Sequence, residues 1–235
     1  RGPSSLERAT AVLEGLAGSG HVRLAADLSD PDAVARLASE AATALGRVDV
    51  LVNNAAMIVP PAPGVDGSRR GDHPLELTSY EDWVQIWQRT LATNLLAPAN
   101  LTWCVARQMI DVPPADGVPV GRVVNVGSRG AYRGEPDIPA YGASKAGLHS
   151  FGQSMAQRLA PHGIAVTSIA PGFIETEMVG AALEGAAGEA TRAQSPFHRV
   201  ATPQEVAAAV VTLASPGAEW ASGAVLDFNG ASHLR

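Results

Sequence analysis

Tyr141 and Lys145 stand four residues apart in Tyr141-Gly-Ala-Ser-Lys145, and Ser128 precedes the tyrosine by thirteen residues. On a helix, side chains four apart lie one above the other on a single face. An ammonium beside a phenol favours the phenolate and lowers its pKa from about 10. A phenol tuned in this way gives a proton to a developing alkoxide, or takes one from an alcohol, near neutral pH. A serine at a neighbouring strand end can hydrogen-bond the same oxygen. Tyr and Lys meet at this spacing often by chance, but this chain has three tyrosines and, among its 17 Lys and Arg residues, a single lysine. A lysine kept against so strong a bias toward arginine points to a site that needs a compact ammonium rather than a planar guanidinium.

Such residues need a frame. The pattern predicts a helix over residues 6–16, a strand over 21–26 ending at Asp27-Leu28, and a helix capped by Ser29 with Pro31 in its first turn. Val34, Leu37, Ala38, Ala41 and Leu45 keep one face of that helix, and Gly46 stops it. Strands follow at 48–52, 122–126, 164–169 and 224–228. Helices follow over about 80–110, 140–159 and 202–214, the last opened by the capping box Thr202-Pro-Gln-Glu205. Strands alternating with long helices call for an α/β fold, a Rossmann-like doubly wound parallel sheet in a single domain over residues 1–235. Open parallel sheets bind ligands beyond the carboxyl ends of their strands, where Asp27, Asn53-Asn54-Ala55-Ala56, Ser128 and Pro171-Gly172 fall. Pro98, four residues after Asn94, lacks the N–H that the carbonyl of residue 94 would accept in a continuous helix. Either the helix kinks and leaves that carbonyl for water, the preferred reading, or Pro98 opens a new helix.

Composition excludes several classes of function. A formal charge of −6 argues against a general binder of nucleic acid or anionic membranes. The one cysteine, Cys104, cannot form an internal disulfide, so the reducing cytoplasm is the expected compartment. No apolar run is long enough to span a bilayer. The six histidines show no i, i+4 pair and no nearby thiol, so no metal site is expected.

Taken together, the motifs resemble the short-chain dehydrogenase/reductase family, in its bacterial 3-oxoacyl reductase-like branch. The matching stretches are Asp27-Leu28, Val48 through Ala56, Asn94, Gly127-Ser128, Tyr141 to Lys145, Pro171 to Thr176 and Gly223 to Gly230, in order along nearly the whole chain. The resemblance implies an NAD(P)-dependent oxidoreductase moving a hydride between a nicotinamide and a ketone or secondary alcohol. It implies that Tyr141 is the general acid/base and that Lys145 lowers its pKa and holds the nicotinamide ribose. Ser128 would orient the substrate carbonyl, and Asn94 would support a water relay to Lys145. Asp27 and Leu28 would contact adenine, Asn54 and Ala55 the ribose side, and Ile174 and Thr176 the carboxamide, beside Pro171-Gly172. It also implies a homodimer or homotetramer, through helices carrying Leu95, Leu96, Leu101, Trp103, Leu148, Phe151 and Met155.

The sequence departs from the family in one respect that matters most. The glycine-rich turn that holds the pyrophosphate is absent, since Gly15-Leu-Ala-Gly-Ser-Gly20 has the wrong spacing and follows a helix. The chain reads as beginning after the family's second strand, without the first β-α-β unit. A lone chain of this length is therefore expected to fold poorly and to hold a dinucleotide weakly, either because the real polypeptide extends upstream or because this form is truncated and inactive. A non-catalytic scaffold that has lost its nucleotide is the competing function. Arg1, near the end of the missing strand, leans toward NADP(H). Residues 175–198 are expected to form a substrate lid, with the loop 57–78 beside it. Arg129 and Arg133 flank the catalytic strand end, where they would either recognise an anionic substrate or stand solvated at the surface.

Overall fold

The computed structural model describes residues 5–59, 71–111, 121–176 and 183–235, with residues 5–8 described by backbone alone. The two central strands, β2 (Gly121–Val126) and β3 (Ile164–Pro171), are buried along their whole length. Runs this rich in β-branched residues are stable only when both faces are covered. On one side β2 pairs with β1 (Val50–Asn53), and on the other β3 pairs with β4 (Val225–Phe228). All pairs are parallel and the order is β1-β2-β3-β4. The register sets Asn53 beside Asn125, and Pro171 beside Phe228. The carboxyl ends of all four strands therefore meet at one edge.

Helices cover both faces, which is the doubly wound arrangement read from the sequence. On one face, α4 (Ala97–Asp111) and α6 (Pro139–Leu159) pack Val105, Met109, Ala156 and Leu159 onto Leu51, Val123, Ile164 and Val166. The amphipathic helix α2 (Pro31–Leu45) lies against α4. On the other face, Val206 of α8 (Pro203–Ala214) packs on Val126 and Ile169. The capping box at Thr202 and Glu205 forms as the sequence requires. The remaining helices are α1 (Ser5–Glu14), α3 (Tyr80–Leu91), a single turn α5 (Gly130–Arg133) that the sequence pattern did not reveal, and α7 (Gly185–Ala193).

Three expectations change. Residues 21–26 do not form a strand, although their composition suits one. A strand requires a neighbour to take its backbone hydrogen bonds, and none of the described residues pairs with this segment. Val22 is left largely exposed, and so are Val50 and Val52 on the outer strand β1. The cap of α2 is Asp30 rather than Ser29: its carboxylate accepts from the Asp32 N–H at 2.9 Å. Finally, Pro98 does not open a separate helix. The chain stays helical from α3 into α4 by widening to a π turn at Ala92–Leu96. That turn absorbs the missing donor by letting the Ala97 N–H reach the Ala92 carbonyl. Among the described residues, no helix is long and apolar enough to cross a membrane, and no cluster of His, Cys, Asp or Glu could hold a metal ion. The expected loops over 57–78 and 111–121 lie partly outside the described residues, as do residues 177–182 of the expected lid.

Candidate active site

Strand β2 leads directly into Gly127-Ser128, and α6 runs back past that end. Gly127 is required by the approach of the helix: a Cβ there would lie 1.8 Å from Nε2 of His149. With the helix held so close, the Ser128 side chain acts on the Tyr141 hydroxyl and favours its phenolate. The Ser128 hydroxyl also accepts from the Gly130 N–H at 3.0 Å, which fixes its rotamer. One turn along α6, Lys145 is almost fully buried, and its Nζ donates to the Val126 carbonyl at 2.8 Å. It lies 5.8 Å from the centre of the Tyr141 ring.

The electrostatics differ from the sequence expectation. The Tyr141 hydroxyl is held above the ordinary phenol range, because burial outweighs the pull of the Ser128 side chain and Glu135 adds repulsion to the phenolate. The lysine is affected by the same burial, which lowers its pKa to about 8. An ammonium that is itself desolvated, and that spends one donor on a backbone carbonyl, does not bring the phenol down by its presence alone.

Asn94 is completely buried inside the π turn. Its Oδ1 accepts from the Met57 N–H at 2.9 Å, while its Nδ2 donates to the Met57 carbonyl at 2.9 Å and to the Ser144 hydroxyl at 3.2 Å. Ser144 in turn donates to the Tyr141 carbonyl at 2.7 Å. The asparagine side chain thus ties the segment after β1 to the helix that carries Tyr141 and Lys145. The sequence reading missed Ser144 and this side-chain bracket. The signal available to it was a small polar residue immediately before Lys145, one turn from Tyr141.

The rest of the rim is placed unevenly. Asn54 and Ala55 are exposed at the end of β1, next to the β2 end. Asn53 behind them is buried and donates to Asn125 at 2.9 Å and to Thr102 at 3.0 Å. Pro171 closes β3, its carbonyl accepting from the Arg129 N–H at 3.0 Å. The Gly172 N–H bonds the Phe228 carbonyl at 3.1 Å, and a side chain at Gly172 would press on Asn229. Ile174 bridges to Ala201, and Thr176 is exposed. Asp27 and Leu28 are not brought to this edge by any strand pairing. Asp27 is exposed and turns onto Ser29, whose N–H and hydroxyl it accepts at 2.9 and 2.7 Å, and this holds its carboxyl below the usual range. Arg129, read as either a substrate contact or a solvated surface residue, is buried.

The two ends of a dinucleotide meet different surroundings here. The nicotinamide end fits: the buried Lys145 ammonium has one hydrogen-bond acceptor among the described residues and keeps its other donors, beside an open strand-end rim. The pyrophosphate end does not find its cradle there. The glycines 15–20 follow α1 and are exposed, and they do not join a strand to a helix.

Residues 3–233 match the family described as enoyl-(acyl carrier protein) reductase. The chain is 34% identical over 211 residues to the 3-oxoacyl-[acyl-carrier-protein] reductase FabG of Vibrio cholerae, covering 90% of this chain and 77% of that protein. It is 34% identical over 208 residues to an acetoacetyl-CoA reductase of an Acinetobacter species, covering 88% and 75%. Among solved structures, a dehydrogenase/reductase from Sinorhizobium meliloti superimposes with a TM-score of 0.81 at 30% identity, over 98% of this chain and 82% of that one. A short-chain dehydrogenase/reductase variant from Serratia marcescens gives a TM-score of 0.80 at 25% identity, over 100% and 86%. Relatives named for reductase activities do not favour the non-catalytic scaffold.

Proposed function

The chain belongs to the short-chain dehydrogenase/reductase family, and from that premise we propose that it reduces a small ketone, or oxidises the matching secondary alcohol, with Ser128, Tyr141 and Lys145 as the reacting centre. The observation that carries this reading is the Tyr141 hydroxyl standing within the influence of the Ser128 side chain, its ring 5.8 Å from a buried ammonium one helical turn away.

In the forward direction the Ser128 hydroxyl holds the carbonyl oxygen, and Tyr141 gives it a proton as negative charge develops. A nicotinamide, when bound, supplies the hydride. Lys145, fixed on the Val126 carbonyl, offers its remaining donors to the ribose side and carries the positive charge that makes a transient phenolate less costly. Asn94 acts through Ser144 and Met57, holding the helix and the segment after β1 in one geometry. Asn54, Ala55, Pro171, Gly172, Ile174 and Thr176 are proposed as cofactor contacts along the rim. Asp27 and Leu28 are proposed for the adenine. The lean to NADP(H) rests on Arg1, which lies outside the described residues.

The substrate is proposed to be a free small carbonyl compound, with a 3-oxoacyl group within that class. An acidic carrier protein suits the surface less. Arg122, the basic residue closest after residues 112–120, is buried and ion-paired with Glu219 at 2.5 Å. We place self-association, as a homodimer or homotetramer, on the outer face of α4 and α6, where Trp103 is 67% exposed.

The test is Tyr141→Phe. Removing the proton donor while keeping the ring should cost at least about 10²–10⁴-fold in turnover, the range for one positioned acid, with cofactor affinity largely unchanged. Ketone reduction followed by nicotinamide absorbance, alongside cofactor titration, reads both. Turnover within a few-fold of wild type would reject Tyr141 as the acid.

A further inference from the structure

A buried cation that no carboxylate of the described residues meets in an ion pair lies one residue beyond Ser128. Arg129 is only 4% exposed. Its guanidinium donates to the Ser232 hydroxyl and to the Gln194 side-chain carbonyl, and it lies over the Phe173 ring with its centre 4.9 Å away. Both hydrogen-bond acceptors are neutral. Arg133 donates to the same Gln194 oxygen at 3.1 Å, so one amide oxygen stands between two guanidinium groups. No carboxylate among the described residues is ion-paired with Arg129. The charge of Glu135 attracts it, but the repulsion of Arg133 is the larger influence. An arginine withdrawn from water in this way is costly to maintain unless an anion accompanies it.

The guanidinium opens onto a cavity of about 220 Å³ whose walls include Phe173, Phe197 and Phe228. The acid on its lining, Glu205, is already taken: Arg199 grips both its oxygens at 2.6 and 2.8 Å. The lining therefore carries one cation more than it balances. A cavity of about 150 Å³ accommodates a benzene ring, so this one has room for a single ring and a small polar group. The planar fork of arginine matches a carboxylate bidentately, and aromatic walls suit a flat apolar body.

We propose that this cavity is a binding site for a small aromatic or otherwise flat organic carboxylate, its carboxylate seated on Arg129 and its apolar body between the phenylalanines. The site stands on the cavity and its buried cation alone, and does not depend on the hydride-transfer reading. The carboxylate belongs either to the substrate itself or to a second ligand beside it, and the chemistry at Arg129 is the same in both cases.

The test uses the whole protein and two probes of nearly equal shape, benzoate and benzamide, titrated by calorimetry at low ionic strength. Benzoate should bind at least about tenfold more tightly than benzamide, the least that a charge-assisted pair contributes. Arg129→Gln should erase that preference, and Arg129→Lys should keep part of it. The comparison of the two probes on the unaltered protein needs no variant, so a folding defect in Arg129→Gln would not obscure the result. Equal affinities, or no binding of benzoate at millimolar concentration, would overturn the proposal, and so would a preference that survives in Arg129→Gln. In a turnover assay with an uncharged ketone, competitive inhibition by benzoate assigns the carboxylate to the substrate, and bound benzoate without competition assigns it to a second ligand. Both results support the site. Because binding is read directly, an inactive protein that still prefers benzoate would separate the failure of the catalytic reading from the failure of this one.

Discussion

Lys145 has one hydrogen-bond acceptor among the described residues, the Val126 carbonyl, and burial lowers its pKa to about 8. The proton that assists Tyr141 is therefore held only below that pH. Ketone reduction should fall as pH rises through about 8, and a kcat/KM profile between pH 6 and 10 measures it, since that ratio reports the free enzyme. The buried His149 provides a second titration of opposite consequence. Burial, Lys145 and Arg235 lower its pKa to about 4, while Asp227 and the Ile169 carbonyl pull weakly the other way. Its ring is stacked on Tyr132, centroids 5.1 Å apart. The unfolded chain, with an ordinary value near 6.5, binds the proton first. Stability contributed by the neutral ring is full above about 6.5 and is lost as pH falls from there to about 4, by an amount on the order of 2 kcal/mol. Urea unfolding at pH 7 and at pH 4.5 should show the loss, and His149→Leu should reduce it. The Glu205–Arg199 pair does not interfere, because the carboxyl, lowered to about 2, loses its contribution only between about 4.5 and 2.

At the scale of elements, the site depends on how closely α6 approaches the end of β2. A methyl group on Gly127 would meet His149 at 1.8 Å, in a ring already fixed by its stacking on Tyr132. Gly127→Ala should therefore cost about 1–3 kcal/mol, the usual penalty for forcing extra volume into a packed interior. It should also reduce turnover by displacing Ser128 from Tyr141. The double variant Gly127→Ala/His149→Ala should recover stability relative to the additive sum, which a double-mutant cycle in urea reads directly. The spacing of Tyr141 and Lys145 made the helix legible in sequence, but not this contact. Nothing in local pattern says which side chain lies opposite a strand-end glycine twenty-two residues away.

Across the whole molecule, what could be read in advance was what local periodicity controls. β2 and β3 were legible because their apolar runs are buried on both faces, and α8 because its capping box is written in Thr202 and Glu205. Residues 21–26 misled, since strand composition is only half of a strand and the partner is a non-local matter. The buried state of Arg129 misled for the same reason: its acceptors, Gln194 and Ser232, lie 65 and 103 residues away in sequence. The outer face of α4 and α6 presents Trp103, Ile110, Phe151 and Met155 around one apolar cleft. If copies associate there, light scattering should find a dimer or larger species, and Trp103→Asp should shift it to a monomer while the circular dichroism spectrum is kept. The π turn at Ala92–Leu96 has a further effect on how this architecture can change. It holds one residue beyond what a regular helix would use, and each residue of an α-helix turns the chain by about 100°. Excising one residue there would let the backbone close into an unbroken rod in which Trp83 and Trp87 keep their phase to Thr102 and Met109. What would be lost is the widened turn that seats Asn94 between Met57 and Ser144. A one-residue deletion is thereby absorbed by the packing of the rod and felt instead at the helix that carries Tyr141 and Lys145.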